Sequence, residues 1–202
     1  MSAGEKVRVA APADAPAITE TLSRAFHDDP TWSWAFPDED RRQQQYAVWW
    51  GLHIEQALRF AQPAVFVTDD IGAAAIWLPP GQAELSPEAE AGVPDLLRGL
   101  VGERASELLE LIERFEAAQP ATPPHYYLSL LGVDDDHRGN GIGMALLEEN
   151  LTRFDAEGVP TYLESSNSAN DHRYEARGYR RVGEFTPPGS DNVIAAYWRD
   201  PA

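Results

Sequence analysis

The chain has no cysteine. That removes disulfide bridges, a thiolate nucleophile and any cysteine-based zinc site. Bases are scarce as well: 16 Lys and Arg stand against 33 Asp and Glu, a formal net charge of −17. Nucleic acid and anionic membrane both need basic patches, so neither is an expected partner. Such a surface favours a cationic or amine ligand, or serves solubility alone. No stretch approaches the ~20 apolar residues of a membrane span. The N-terminus, MSAGEKVRVAAPAD, lacks an apolar run of signal-peptide length, and the expectation is a soluble cytoplasmic protein. H-E-x-x-H and G-x-S-x-G are both missing, so no metal and no covalent acyl-enzyme is expected. What remains is ordinary globular composition, 43% hydrophobic and 24% charged over 202 residues. That suits one domain with a sizeable core, or one domain with an insertion.

Residues 125–150, HYYLSLLGVDDDHRGNGIGMALLEEN, organise the rest. His125 to Val133 is apolar, aromatic and branched, which suits a buried strand. Asp134 to Gly143 is polar and glycine-dense, a tight loop. Met144, Leu147 and Leu151 then follow at helical spacing. A strand, a glycine loop and a helix start, in that order, make a place for phosphate. The first helical turn offers free N–H groups and partial positive charge, and glycines let that backbone approach an anion. The loop is neither a P-loop, lacking G-K-[ST], nor the Rossmann fingerprint, lacking G-x-G-x-x-G.

The run V-x-x-x-x-R-G-x-G-I-G-x-x-L-L, from Val133 to Leu147, resembles motif A of the GNAT superfamily of acyl-CoA-dependent N-acyltransferases. A second segment, Tyr162 to Tyr179, resembles that family's motif B, N-x-x-x-Y-x-x-x-G-F/Y, with Asn170, Tyr174, Gly178 and Tyr179 on its positions. HYYLSLLGV, RGNGIG and EGVPTYLESSN together are most similar to the puromycin N-acetyltransferase-like branch. The resemblance implies an α/β (α+β) GNAT fold: a central mixed, mostly antiparallel sheet of six to seven strands flanked by helices. It implies acetyl-CoA as co-substrate and no metal. Its pyrophosphate would lie on Arg138, Gly139, Asn140, Gly141, Ile142, Gly143 and Met144. Its pantetheine would meet the backbone of Leu131, Gly132 and Val133 in the manner of an added strand, with Gly132 suited to a bulge. Asn170, one turn before Tyr174, would contact the pantetheine as well. GNAT domains often pair through sheet edges, so a homodimer is an open expectation.

The remaining chain reads in order. Lys6 to Ala10 alternates as a short strand, and Asp14 starts a helix carrying Ile18, Leu22, Ala25 and Phe26. Pro30 closes that helix, and Thr31 to Asp40 is expected to be a loop bearing Trp32, Trp34 and Phe36. In the family this region borders the acceptor, which makes Asp28, Asp29 and Trp34 the expected acceptor contacts. Asp40 to Ala61 is a long amphipathic helix in which His53 reads as a core histidine. Ala64 to Thr68 and Ala73 to Leu78 form a hairpin. Residues 82–120 are the part least typical of the family, a helical insertion with helices at Pro87 to Leu100 and Glu103 to Ala118 within one GNAT-like domain spanning 1–202. The glutamates of the second helix form a solvated face, or a lid over an amine. Short strands at Thr161 to Glu164, Arg180 to Phe185 and Asn192 to Trp198 complete the chain.

Acyl transfer from a thioester to an amine needs a neutral amine, a polarised carbonyl and a proton for the departing thiolate. A phenol, with a pKa near 10, can supply that proton. Tyr174 fits the role, and the matching tyrosine is the family's usual general acid. Glu164, at the end of the strand TYLE, can take the proton from the ammonium, or can only bind the amine. His125 and His172 are weaker candidates for that base. The expected activity is direct acetyl transfer to a small-molecule amine, with a protein or peptide acceptor or a non-catalytic acyl-CoA sensor as alternatives.

Overall fold

A computed structural model describes residues 6–202; the first residues of the N-terminal segment read above, Met1 to Glu5, lie outside them. Seven strands form one sheet: β1 (Val7–Val9), β2 (Val65–Thr68), β3 (Ala73–Leu78), β4 (Tyr126–Val133), β5 (Thr161–Ser165), β6 (Arg180–Phe185) and β7 (Ile194–Arg199). Their order is β1-β2-β3-β4-β5-β7-β6. Every neighbouring pair is antiparallel except β4 with β5. The mixed, mostly antiparallel sheet expected from the sequence is therefore the one the chain builds.

Helices cover both faces. On one lie α1 (Ala15–Ala25), α2 (Pro30–Ala35), α3 (Glu39–Ala57), α4 (Pro87–Val101) and α5 (Ala105–Ala118), packed on Val65, Val67, Ala74, Ile76 and Leu130. On the other lie α6 (Ile142–Glu157) and α7 (Asp171–Glu175), packed on Phe66, Ala75, Trp77, Leu128 and Leu163. Strand side chains alternate between the faces, which is why β3 feeds both cores.

β4 breaks that alternation. Ile76 opposes Leu130 and Trp77 opposes Leu128, so Ser129 has no partner on β3. This bulge swaps the faces. Leu128 points to α6, Leu130 points to α1 and α3, and Leu131 and Val133 return to the α6 side. The bulge expected at Gly132 thus sits at Ser129. Gly132 is small for a different reason: a Cβ there would lie 2.6 Å from Leu22 Cδ2 and 2.9 Å from Ala25 Cβ, where α1 crosses the strand.

The parallel pairing of β4 with β5 spans only Tyr126–Leu128 against Thr161–Leu163. Beyond it the two strands part, leaving the end of β4 without a neighbour on that side. Asp134 donates its N–H to Gly72 O at 2.9 Å. By antiparallel alternation Gly132 turns its backbone groups toward β3, while Leu131 and Val133 turn theirs into the gap.

The loop expected at Thr31 to Asp40 begins instead with α2. Pro30 starts a helix rather than ending the previous one. Asp29 Oδ1 accepts from Thr31 N and Trp32 N at 3.0 and 3.1 Å, and Pro30 occupies the first helical position, where its missing N–H costs nothing. Among the described residues no helix is long and apolar enough to cross a membrane, and no three His, Asp or Glu side chains gather as metal ligands.

Candidate active site

One cavity of about 1060 Å³ joins three regions. It starts at the glycine loop, includes the end of β4 and the residues of α7 beside the gap between β4 and β5, and opens under α4 and α5.

The loop end is built from backbone. Gly139 and Gly141 have φ of +82° and +76°, left-handed positions that side chains resist. A Cβ added at either meets no atom within 4 Å, so both border open space. Gly141 caps α6 without any side chain, which leaves first-turn N–H groups free at the positive end of a 16-residue helix. A Cβ at Gly143 would lie 2.5 Å from Val133 Cγ2, so this glycine seats the helix start directly on β4. Such a cradle fits a pyrophosphate. Arg138 stands beside it, its guanidinium paired with Asp135 at 2.9 Å and donating to Ala25 O at 2.7 Å. Its Nε also reaches Val133 O at 3.4 Å, on the open edge of β4. Ile142 and Met144 line the cavity, whereas Asn140 does not: its side chain turns back to His137 O at 3.3 Å.

Tyr174 lines the cavity from the α6 face, its ring packed 6.1 Å from Tyr179 and 6.3 Å from Tyr197. Burial pushes its phenol up to about 12, with Asp29 and Asp171 adding to the shift. The phenol therefore stays protonated and acts as a donor. Asn170 lines the same stretch and accepts from Arg173 at 3.0 Å.

Glu164 comes from the other face. Leu163 belongs to the α6 core, so its neighbours Tyr162 and Glu164 point to the α4 and α5 side. Both carboxylate oxygens of Glu164 are buried and lack a hydrogen-bond partner among the described residues. Burial pushes this carboxyl up to about 8; the phenols of Tyr162 and Tyr127 pull it back, and Glu84 raises it further. Glu84 itself accepts from the hydroxyl of Ser129, which ties the loop after β3 to the bulge.

The three expected acceptor contacts part company. Asp28 is exposed and lines the cavity. Asp29 lines it too, but its carboxylate is engaged: Oδ1 caps α2, and Oδ2 accepts from Ser166 Oγ at 2.7 Å. It clasps α2 to the loop after β5. Trp34 does not reach the cavity; its ring lies under the guanidinium of Arg104, 4.9 Å away. Trp32, two residues earlier, takes the wall position, edge-on to Trp50 at 4.6 Å. His53 is buried, as a core histidine should be, with Nδ1 donating to Trp49 O at 2.8 Å, yet it also borders the cavity. Glu84 and Ser129 carry no signal in the sequence. One glutamate in a Pro-Gly loop and one serine in an apolar strand are unremarkable until the strands pair.

Residues 111–194 match the model of a family described as "Acetyltransferase (GNAT) domain". Among solved structures, a Corynebacterium glutamicum protein described as "histone acetyltransferase HPA2 and related acetyltransferase" aligns at 26% identity. Its TM-score is 0.70, over 98% of this chain and 96% of that one. A polyamine N-acetyltransferase from Drosophila melanogaster aligns at 17% identity and TM-score 0.63, over 96% and 99%. An Escherichia coli N-acetyltransferase acting on an alanine of a ribosomal protein aligns at 16% and 0.54, over 98% and 94%. The last two share the fold.

Proposed function

We propose that this chain, whose residues 111–194 match the GNAT acetyltransferase domain and whose fold aligns with an acetyltransferase structure, is an N-acetyltransferase that moves an acetyl group from acetyl-CoA directly onto the amine of a small molecule, with both substrates bound together. The observation that carries this reading is the single cavity shared by the glycine loop, Tyr174 and Glu164.

Acetyl-CoA supplies an activated acyl group as its thioester. The N–H groups of Gly139 to Gly143, with Arg138 released from Asp135, hold its pyrophosphate. The outward backbone groups of Leu131 and Val133 pair with the pantetheine amides as a strand would, and Asn170 adds a contact. Glu164 takes one proton from the acceptor ammonium. The amine nitrogen forms the new C–N bond, the C–S bond breaks, Tyr174 donates its proton to the departing sulfur, and the second proton lost by the nitrogen restores the Tyr174 phenol. Two charges thus form and are neutralised at opposite ends of one gap.

A protein acceptor is the competing reading, and the names of the similar structures include both kinds. The walls favour the small one. We take residues 82–120 as an insertion within one domain, placing α4 and α5 over the acceptor end. The nearer resemblance to the puromycin N-acetyltransferase-like branch rests on sequence motifs alone.

Coenzyme A release measured across small amines and N-terminal peptides, with both substrates varied, tests the proposal. Turnover restricted to small amines with intersecting double-reciprocal lines is the expected result. Turnover on peptides alone, parallel lines, or tight acetyl-CoA binding with no release on any amine would each refute it.

A further inference from the structure

Seven of the nine acidic side chains of residues 82–120, all but Glu88 and Glu103, fall into two sets. Asp95, Glu107 and Glu110 carry arginine partners, Arg98, Arg104 and Arg114. Glu84, Glu90, Glu113 and Glu116 line the cavity instead, and none of the four has a basic partner among the described residues. Glu113 and Glu116 are spaced i, i+3 on α5 and so share one face. The arginines that line the cavity, Arg138 and Arg173, belong to its other end, one in the glycine loop and one on α7. The arginines that line the cavity thus lie at the glycine-loop end, and these four glutamates lie at the end under α4 and α5, apart from Asp28 after α1.

A ring of exposed glutamates alone would mean little. Glu164 is the second observation. Its carboxylate oxygens are buried inside the same cavity with no hydrogen-bond partner among the described residues and only the phenols of Tyr127 and Tyr162 near them, a condition that costs free energy unless a ligand completes it. A cation is the group that does so. Trp32, Trp50 and Phe115 also line the cavity. Aromatic faces suit methylene groups and attract a passing ammonium.

Resting on the transferase reading above, we infer that the acceptor is a dicationic amine: one nitrogen is presented to Glu164 and acetylated, while the second cationic group is held by Glu90, Glu113 and Glu116 at the mouth of the cavity. The distal group takes no part in the bond changes. It sets which amine is bound and in which orientation.

The test is coenzyme A release with α,ω-diaminoalkanes of three to eight carbons against n-alkylamines of matching length, in the native enzyme and in a Glu113→Gln/Glu116→Gln double variant. Both glutamates are exposed, so the variant is expected to fold, and its melting temperature checks that. The best diamine should exceed its matching monoamine in kcat/KM by roughly tenfold, the scale of a few exposed charge contacts. That ratio should fall to about threefold or less in the variant, and added salt should shrink it in the native enzyme. Equal kcat/KM for the two series would overturn the inference and leave the transferase reading standing, as would a diamine preference that survives the double substitution. Acetyl-CoA binding with no release on any amine would overturn both.

Discussion

Glu164 and Tyr174 reach one cavity from opposite faces of the sheet. The parity of β5 sends Glu164 toward α4 and α5, and α7 carries Tyr174 on the α6 side. They can share a space because β4 and β5 stop pairing after Leu128 and Leu163. The sheet holds these two apart, and burial pushes both above their usual range, the carboxyl to about 8 and the phenol to about 12.

The pH dependence follows from that. With its carboxyl at about 8, Glu164 is protonated at lower pH and can take no proton from an ammonium. Burial is the main cause of this value; of the titratable groups facing it, Tyr162 and Tyr127 lower it and Glu84 raises it. We predict that kcat/KM rises with pH through about 8, well below the amine's own ionisation near 10. Glu164→Gln should lose that limb and ~10²-fold or more in rate. Stability runs the other way. A carboxyl raised on folding from 4.5 to about 8 binds more protons in the native state, so its contribution is complete below the lower value and is lost as pH climbs through the upper one. The melting temperature of Glu164→Gln relative to the native protein should therefore rise between pH 6 and pH 9. A constant difference would show that Glu164 is not buried and unpaired.

Two glycines two residues apart should fail differently. Gly143→Ala drives a Cβ to 2.5 Å from Val133 Cγ2 and should lower stability by ~1–3 kcal/mol, the range for overpacking. Gly141→Ala meets no neighbour; its cost is the left-handed backbone, ~1 kcal/mol. Its added methyl stands in the cradle, so acetyl-CoA affinity should fall tenfold or more. Urea unfolding and calorimetric titration separate the two effects, and equal affinity losses with equal stability losses would contradict the assignment of the cradle.

Asp28 and Asp29 are neighbours with separate jobs. Asp29→Ala removes the cap of α2 and the tie to Ser166, and should cost ~1–3 kcal/mol. Asp28→Ala, on an exposed side chain, should stay within ~0.5 kcal/mol. An unfolding series measures both. If Asp29→Ala raised the KM for the amine with stability unmoved, its carboxylate would be an acceptor ligand after all.

What could be read from the sequence was local. Arg138 to Gly143 betrays its purpose because glycine spacing encodes backbone freedom, and the Asn170 to Tyr179 pattern sits on a single helix and its exit. What escaped depends on pairing between distant segments. The bulge at Ser129 is a property of register between β3 and β4, so Gly132 seemed the better candidate until α1 was seen lying against it. Asp29 reads as a free carboxylate until its own helix and Ser166 claim it. Trp32 and Trp34 are indistinguishable in sequence; the one short helix that Asp29 caps turns the first to the cavity and the second to Arg104. Glu84 gains meaning only beside Glu164.

The most direct test of the central claim is single-turnover coenzyme A release by Tyr174→Phe, with acetyl-CoA affinity measured on the same preparation. The substitution removes one hydroxyl from a half-buried ring and leaves its packing against Tyr179 and Tyr197 in place. A fall of ~10²–10⁴ in the rate constant, with affinity changed by less than about threefold, is the result predicted for a residue that serves the departing sulfur. An unchanged rate would contradict the account and remove Tyr174 from the chemistry.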